Sequence, residues 1–284
     1  MSRDHTIRDI TELDHCRQVV EIQAEVWGPD SEIVPASVLI ASSKRGAILL
    51  GAFDGERLDG FVWSMPGWRE GKPTQWSHML GVRLSARGRA LGARLKIAQR
   101  ERALATSIAL IEWTFDPLQA QNAHLNMAVL GCTASAYRVN AYGEMTGPLH
   151  RGTPTDRLIA EWWIGTPHVA RRLAAFTDRR RLPVARAVDL RQAPVAIAVR
   201  TAAEWVECGA PDTTLEAIRL LVPVPPRFGE MQQEACAAAL AWRLAAREVF
   251  TTYFGRGYRV VDFLLNREVG GGAYVLSRMD TERG

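Results

Sequence analysis

The apolar and polar positions of the chain change period several times, and each change marks an element. "HTIRDI" (5–10) alternates at period two, as a short strand does. "TELDHCRQVVEIQAEVW" (11–27) then places Val19, Val20, Ile22 and Val26 at helical spacing behind Thr11, the expected N-cap. "GPDSEIVP" breaks that helix, and "ASVLIASSKRG" (36–46) predicts a second, short one closed by Gly46. Two apolar runs, "AILLGAFDG" (47–55) and "RLDGFVWSMPGW" (57–68), flank Asp54-Gly55 and predict an antiparallel hairpin. After a loop containing Gly and Pro, "TQWSHMLGVRL" (74–84) predicts a third strand. A helix follows from about Leu91 to Thr106, with Leu91, Leu95 and Ala98 on one face and Ile97 and Leu104 on another.

"IALIEWTFDP" (108–117) is β-rich and ends at a proline, and a strand, helix and strand in one sheet imply a parallel pair with a right-handed crossover. "LQAQNAHLNMAVLG" (118–131) predicts a helix stopped by Gly131; "TASAYRVNAYG" (133–143) and "DRLIAEWWIG" (156–165) predict strands. The order through residue 165 is β-α-α-β-β-β-α-β-α-β-β, an α/β (α+β) fold with a mixed central sheet flanked by helices.

The basic stretch "RRLAAFTDRRRLPVAR" (171–186) reads first as part of a linker over about 169–190, after which the pattern restarts. "APVAIAVR" (193–200) and "TLEAIRLLVPV" (214–224) predict strands. Residues 229–255 predict one long helix with Met231, Ala235, Ala238, Trp242, Ala245, Val249 and Tyr253 on a stripe, and 258–266 and 272–278 predict strands around a Gly-rich turn. Residues 214–278 echo the strand, long helix, strand order of residues 74–117. The expected organisation is therefore a first domain over 1–168 and a smaller α/β domain over 169–284, a candidate degenerate half-repeat.

Length and composition change this picture little. The chain has 284 residues, 47% apolar and 23% charged, as soluble globular proteins do, and no run nears the roughly 18 apolar residues of a membrane span. The polar first residues predict a cytoplasmic protein without membrane partners. Cys16, Cys132, Cys208 and Cys236 are far apart and lack metal-site spacing, so no metal is expected. The net charge of +4 comes from arginine, since Lys44, Lys72 and Lys96 are the only lysines. A mild positive balance suits an anionic ligand, although a solvated mixed-charge surface is the commoner explanation. The arginines do not fall on one helical face with interleaved aromatics, which argues against nucleic acid as a partner.

One stretch carries chemistry. In "GVRLSARGRALGARLKIAQRER" (81–102) a strand turns into a helix through a small, basic corner. The first N–H groups of a helix are unpaired and its dipole adds positive charge there, so such a corner holds an anion if the backbone can come close. Gly88, Ala90, Gly92 and Ala93 permit that approach and Arg87 and Arg89 add charge, with Leu91 opening the helix. The corner reads equally as a tight turn with solvated arginines. It contains neither G-K-[ST] nor G-x-G-x-x-G.

"VRLSARGRALGARL" resembles the acyl-CoA pyrophosphate loop of the GCN5-related N-acetyltransferase (GNAT) superfamily, Q/R-x-x-G-x-G/A. Arg87 matches its first position and Gly92 its last, while Ala90 stands where glycine is usual and Leu84 replaces a frequent proline. The element order of residues 5–165 resembles the family's too, so the likeness covers somewhat more than half the chain. With "HMLGV" and the "LIAEWW" end it is most similar to a bacterial subgroup carrying an extra C-terminal region. The resemblance implies an acyl-CoA-dependent N-acyltransferase, acetyl-CoA the co-substrate, acting on a small-molecule or peptide amine. It also implies that the backbone of Leu80, Gly81 and Val82 pairs with the pantetheine arm and that Asn122 contacts the cofactor.

Acyl transfer needs a neutral amine, a polarised thioester and a proton returned to the thiolate. His78, at period two from Leu80 and Val82, is expected on their face as the base; a backbone-satisfied edge histidine is the alternative. The family's acid is a Tyr four residues before a Gly, which falls on Met127, so Tyr137 and Tyr142 are the substitute candidates, with core packing the commoner role for such residues. Glu32, Trp63, Glu112 and Asp116 are candidates for the acceptor pocket, Asp116 being equally readable as a helix N-cap and Trp63 as core. The reading from a different class is a catalytically reduced CoA-binding or regulatory protein, motivated by Met127 and Ala90. The C-terminal region is read as an interaction or homodimerisation region that completes the acceptor pocket, and "PVPPRFGE" (223–230), rich in proline, is expected to bind no second CoA.

Overall fold

The first hairpin forms where Asp54-Gly55 predicts it. Strands β2 (Ile48–Asp54) and β3 (Arg57–Arg69) pair antiparallel with Asp54 opposite Arg57, and Gly55 takes φ +63° at the corner. β1 (Thr6–Asp9) adds to the free side of β2 with Ile7 opposite Ala52. β4 (Lys72–Val82) pairs with β3 through a two-residue turn, Glu70 at φ +51° and Gly71 at φ +75°. Two successive left-handed residues match the twist of a hairpin, so the loop expected before β4 is a tight turn and both strands run longer than their apolar runs.

The computed structural model describes residues 5–29, 31–143, 153–178, 192–201 and 204–278. They form two compact units, Met1–Trp113 with Trp163–Gly165, and Thr114–Trp162 with Thr166–Gly284.

In the first unit, helices α1 (Leu13–Trp27) and α2 (Ala36–Ser43) cover one face of the sheet. Cys16, Val19, Ile22 and Leu39 pack on Leu49, Phe53, Phe61 and Trp63, burials each contributing about 1.5–3 kcal/mol for the larger side chains. α1 starts at Leu13 with Glu12 at its cap and no side-chain cap bond, so Thr11 is not the N-cap. Helix α3 (Leu91–Ala105) has a buried stripe that differs from the apolar one: Leu91 and Leu95 share it with Lys96 and Gln99, whereas Ile97 and Ala98 are half-buried and Leu104 is exposed. Partners offset the cost of burying the polar groups. Ser77 of β4 accepts from Lys96 Nζ (3.1 Å) and Gln99 Nε2 (3.2 Å), and the Lys96 ammonium lies 3.6 Å from the centroid of Trp113. After α3 comes β5 (Leu110–Phe115), parallel to β4.

The second unit begins at Thr114. Residues 118–131 do not form one α-helix: a single turn, α4 (Ala120–Ala123), widens into π geometry over His124–Val129, where the N–H of Leu130 reaches the carbonyl of Leu125. β6 (Thr133–Arg138) and β7 (Arg157–Trp163) pair antiparallel. Helix α5 (Pro167–Thr177) occupies the first part of the expected linker, because Thr166 caps it, Pro167 suits its first turn and it buries Val169, Arg172 and Leu173. Residues 179–191, the rest of the basic stretch, lie outside the described residues.

β8 (Ile197–Thr201) pairs with β9 (Val206–Pro211), a strand the pattern did not announce. β10 (Arg219–Val224) precedes two helices instead of one, α6 (Phe228–Glu234) and α7 (Cys236–Gly255), divided at Ala235 by φ −138° and ψ 56°. The buried stripe of α7 is Ala239, Trp242, Arg243, Ala245, Ala246, Val249, Phe250 and Tyr253, so Ala239 takes the place expected of Ala238. β11 (Arg259–Leu265) and β12 (Gly272–Ser277) complete the unit. β12 lies between β10 and β11, antiparallel to both, whereas β4 and β5 pair directly. The echo of residues 74–117 in 214–278 is therefore one of order and not of strand pairing.

Candidate functional site

β4 keeps its partner β3 as far as Val82, but β5 meets it only at Gln75 opposite Ile111 and Trp76 opposite Glu112. From Ser77 onward one edge of β4 has no strand partner among the described residues, so the main-chain groups on that edge are not paired with a neighbouring strand. A bulge sits at that place: Ser64 faces Ser77 and Trp63 faces Met79, so His78 is the extra residue.

The bulge corrects the expected grouping of side chains. Leu80 is the neighbour a Cβ on Gly92 of α3 would meet, and Val82 and Leu95 those a Cβ on Gly60 would meet. His78 instead sets its ring edge-on against Trp63 (centroids 5.3 Å), whose indole N–H donates to Ser42 of α2 (3.0 Å). His78 and the pair Leu80 and Val82 thus occupy opposite faces. The His78 residue is exposed at the surface, yet packing removes enough water from the imidazole to lower its pKa below the ordinary value. Burial thus favours its neutral form. Gly81 is required where it stands, since a Cβ would lie 2.8 Å from the Phe61 ring.

Past Val82 the chain makes one 3₁₀ turn (Leu84–Ala86) and enters the corner. Gly88 takes φ +80° and Ala90, the residue before α3, takes φ +56° and ψ 19°, the left-handed conformation in which glycine is at ease and alanine is strained. Among the described residues the N–H groups of Gly88, Arg89, Ala90, Leu91, Gly92 and Ala93 have no main-chain partner, no side chain caps the helix and its first turn holds no acid. Arg87 and Arg89 are exposed beside them. Six N–H groups without a main-chain partner among the described residues thus stand beside a helix N-terminus and two guanidiniums, the donor set expected of an anion cradle.

Sequence reasoning missed what holds the cradle in place. Arg83 donates to Glu25 (2.9 Å), to Glu21 (2.9 Å) and to the carbonyl of Leu58 (2.9 Å), and Glu25 accepts from the N–H of Leu84 (2.8 Å). That N–H, ahead of Arg83, holds the Glu25 carboxyl below its usual range. Burial opposes the charge on Arg83, but the two glutamates outweigh it and its pKa rises. Arg94 of α3 donates to the carbonyl of His5 (2.7 Å), and His5 bonds Asp59 (2.8 Å).

The other candidates are dispersed. Trp63 is buried in the core of the first unit, Glu32 is exposed, and Glu112 pairs with Arg69 (2.8 Å). Asn122, in the second unit, is exposed. Asp116 accepts from both terminal nitrogens of the buried Arg243 (2.8 Å each) and, across a local turn, from the N–H of Leu118 (2.9 Å); Gln119 stands at the cap of α4, so Asp116 is half of an ion pair and not the N-cap. Burial opposes that charge, but Arg243 prevails and keeps the carboxyl below its usual range. Tyr137 donates to Asp156 (2.9 Å) and stacks on Phe250; burial, then the Asp156 charge, push its pKa far up. Tyr142 shares a hydrogen bond with Thr114 (2.6 Å) and is half exposed. Met127 is buried. Among the described residues no cluster of three or more His, Cys, Asp or Glu could hold a metal, and no helix is long and apolar enough to cross a membrane.

No family model matches the chain, and no curated protein matches it. Solved structures do. yncA from Salmonella typhimurium, with its cofactor acetyl-CoA, is 18% identical over 57% of this chain and 94% of its own, with a TM-score of 0.46. An acetyltransferase of the GNAT family from Streptococcus pneumoniae is 14% identical over 56% and 98%, with a TM-score of 0.46. The ribosomal-protein-S18-alanine N-acetyltransferase from Escherichia coli is 14% identical over 56% and 94%, with a TM-score of 0.44.

Proposed function

We propose that the chain is an acyl-CoA-dependent N-acyltransferase that transfers an acetyl group from acetyl-CoA to a small-molecule or peptide amine. The observation that carries this reading is the uncapped start of α3, where Gly88 to Ala93 offer six N–H groups and Arg87 and Arg89 offer charge to one anion. A pyrophosphate fits that donor set, being a strong acceptor that needs close approach to the backbone. The unpartnered edge of β4, from His78 to Val82, leads into the cradle and supplies main-chain donors and acceptors for an amide-bearing arm.

The bound thioester supplies an activated carbonyl. His78, its neutral form favoured by burial, takes the proton of the attacking amine; the new C–N bond forms as the C–S bond breaks, and the thiolate leaves with a proton from water. Tyr137 is a poor donor for that last step, because its hydroxyl is committed to Asp156 and burial raises its pKa. Met127 offers no proton. The domain over 1–168 carries the acyl chemistry in this reading, and 169–284 is an appended region.

Titration calorimetry with acetyl-CoA, on the wild type and on Arg87→Ala combined with Gly92→Trp, tests the cradle. A Cβ at Gly92 meets only Leu80 at 3.6 Å, so the tryptophan fills the cradle and spares the core. Binding in the wild type and its loss in the variant support the reading; no wild-type binding overturns it. Binding without thiol release for any amine marks the catalytically reduced alternative.

A further inference from the structure

The second unit gathers three guanidiniums and two carboxylates, and the charges do not close. Asp116 is occupied by Arg243, and Asp156 accepts from Arg247 Nε (2.8 Å) and Nη2 (2.9 Å), from the N–H of Asn140 and from Tyr137. The third cation, Arg157, is half-buried and, among the described residues, donates through Nη1 alone, to the carbonyl of Asp156 (2.9 Å), while its Cζ lies 5.2 Å from the centroid of the Tyr142 ring. Its Nε and Nη2 edge has no hydrogen-bond partner among the described residues.

That edge is the one arginine presents to a carboxylate as a two-toothed fork. The same molecule shows the use elsewhere, since Arg247 grips Asp156 and Arg102 grips Asp9 through Nε and Nη2. Beside Arg157, the hydroxyls of Tyr142 and Thr114 lie 2.6 Å apart. One proton bridges them, so the other is available to a third oxygen. Burial comes first among the causes that depress the Arg157 pKa, whereas Arg243 and Arg247 are held up by their acids.

We propose that Arg157, with the Tyr142 and Thr114 hydroxyls, forms a binding site for the carboxylate of an organic ligand, the guanidinium fork taking both oxygens and the hydroxyl pair donating to one of them. The site lies within the second unit and stands whether or not acetyl-CoA binds at α3. It gives Tyr142 a place in recognition.

The test is titration of the full-length protein with millimolar succinate, with N-acetylglycine as a peptide C-terminus and with N-acetylglycinamide as its uncharged counterpart. Saturable binding of at least one carboxylate, no binding of the amide, and weakening of about tenfold or more in Arg157→Gln support the site. Arg157→Lys, which keeps the charge and loses the fork, falls between the two. Succinate alone points to a free acid and N-acetylglycine alone to a chain end, both within the proposal. Should Arg157→Gln lower the thermal midpoint, Tyr142→Phe and Thr114→Val carry the test by weakening binding a few-fold each. Equal binding in wild type and a folded Arg157→Gln, equal binding of the amide, or no saturable binding of either carboxylate overturns it.

Discussion

Two turns of this chain share a backbone conformation and differ in everything that decides what they can hold. Ahead of α3, Ala90 is left-handed at φ +56°; ahead of α6, Arg227 is left-handed at φ +49°. The first is followed by a helix of 15 residues whose opening N–H groups have no main-chain partner among the described residues. The second follows Pro225 and Pro226, which have no N–H to give, and Glu230 in its first turn pairs with Arg227 (3.0 Å). Arg227 also lies 4.6 Å from the Trp205 centroid. In the proposed function one turn takes its charge from outside; the other has supplied its own. Dihedral angles alone do not make an anion site.

The largest effect that separates the two turns is in binding. Arg87→Ala with Gly92→Trp is expected to weaken acetyl-CoA by about a hundredfold or more, whereas Arg227→Ala leaves the affinity and a stoichiometry of one unchanged. Calorimetry reads both, and two equivalents in the wild type would break the contrast.

Next in size is His78→Ala, which should lower kcat by about 10²–10⁴-fold in a thiol-release assay. Because the His78 pKa is depressed, the wild-type rate rises with pH through a value below the ordinary imidazole one and is flat above it. A limb that survives in the variant would assign the titration to another group.

Smaller is the effect of the anchor. Glu25→Gln should weaken acetyl-CoA a few-fold and lower the unfolding free energy by less than about 1 kcal/mol, since the pair with Arg83 is partly solvated. The Glu25 carboxyl is held below its usual range, so its stabilisation is present above the unfolded-state pKa and is lost as pH falls through the folded one. The variant should flatten that part of a pH series of melts.

Smallest is Ala90→Gly. Relief of about 1 kcal/mol of left-handed strain exceeds the roughly 0.5 kcal/mol of extra unfolded-chain entropy, so the protein should gain a fraction of a kcal/mol in a denaturant titration. Arg227→Gly sharpens the comparison: the same relief is offset by the lost contact with Glu230, and no net gain is expected.

Most of this architecture is legible in the chain because local pattern decides it. The order of elements through Trp163, the Gly55 turn and the small residues of the corner follow from periodicity and from glycine chemistry. The facing of His78 was not legible, since alternation assumes an unbroken strand and the bulge is defined by what lies opposite on β3. The grip of Glu25 on Leu84 and Arg83 joins residues 59 and 58 positions apart, a distance over which a single sequence carries no register. The same holds for Asp116 and Arg243, 127 apart, where an apparent N-cap proves instead to be half of a buried ion pair. Helix α5 was obscured by the arginines that follow it, and the break at Ala235 by an alanine-rich run that favours continuation.

The six N–H groups of the α3 corner without a main-chain partner among the described residues also bear on how the protein behaves in a tube. Any anion that docks there binds the native state and not the unfolded chain, so by mass action it raises stability by about 2.7 kcal/mol at a hundred times its dissociation constant. On the proposed function, phosphate and sulfate buffers should act as weak ligands, and the melting temperature should become a gauge of how much acyl donor a preparation still carries.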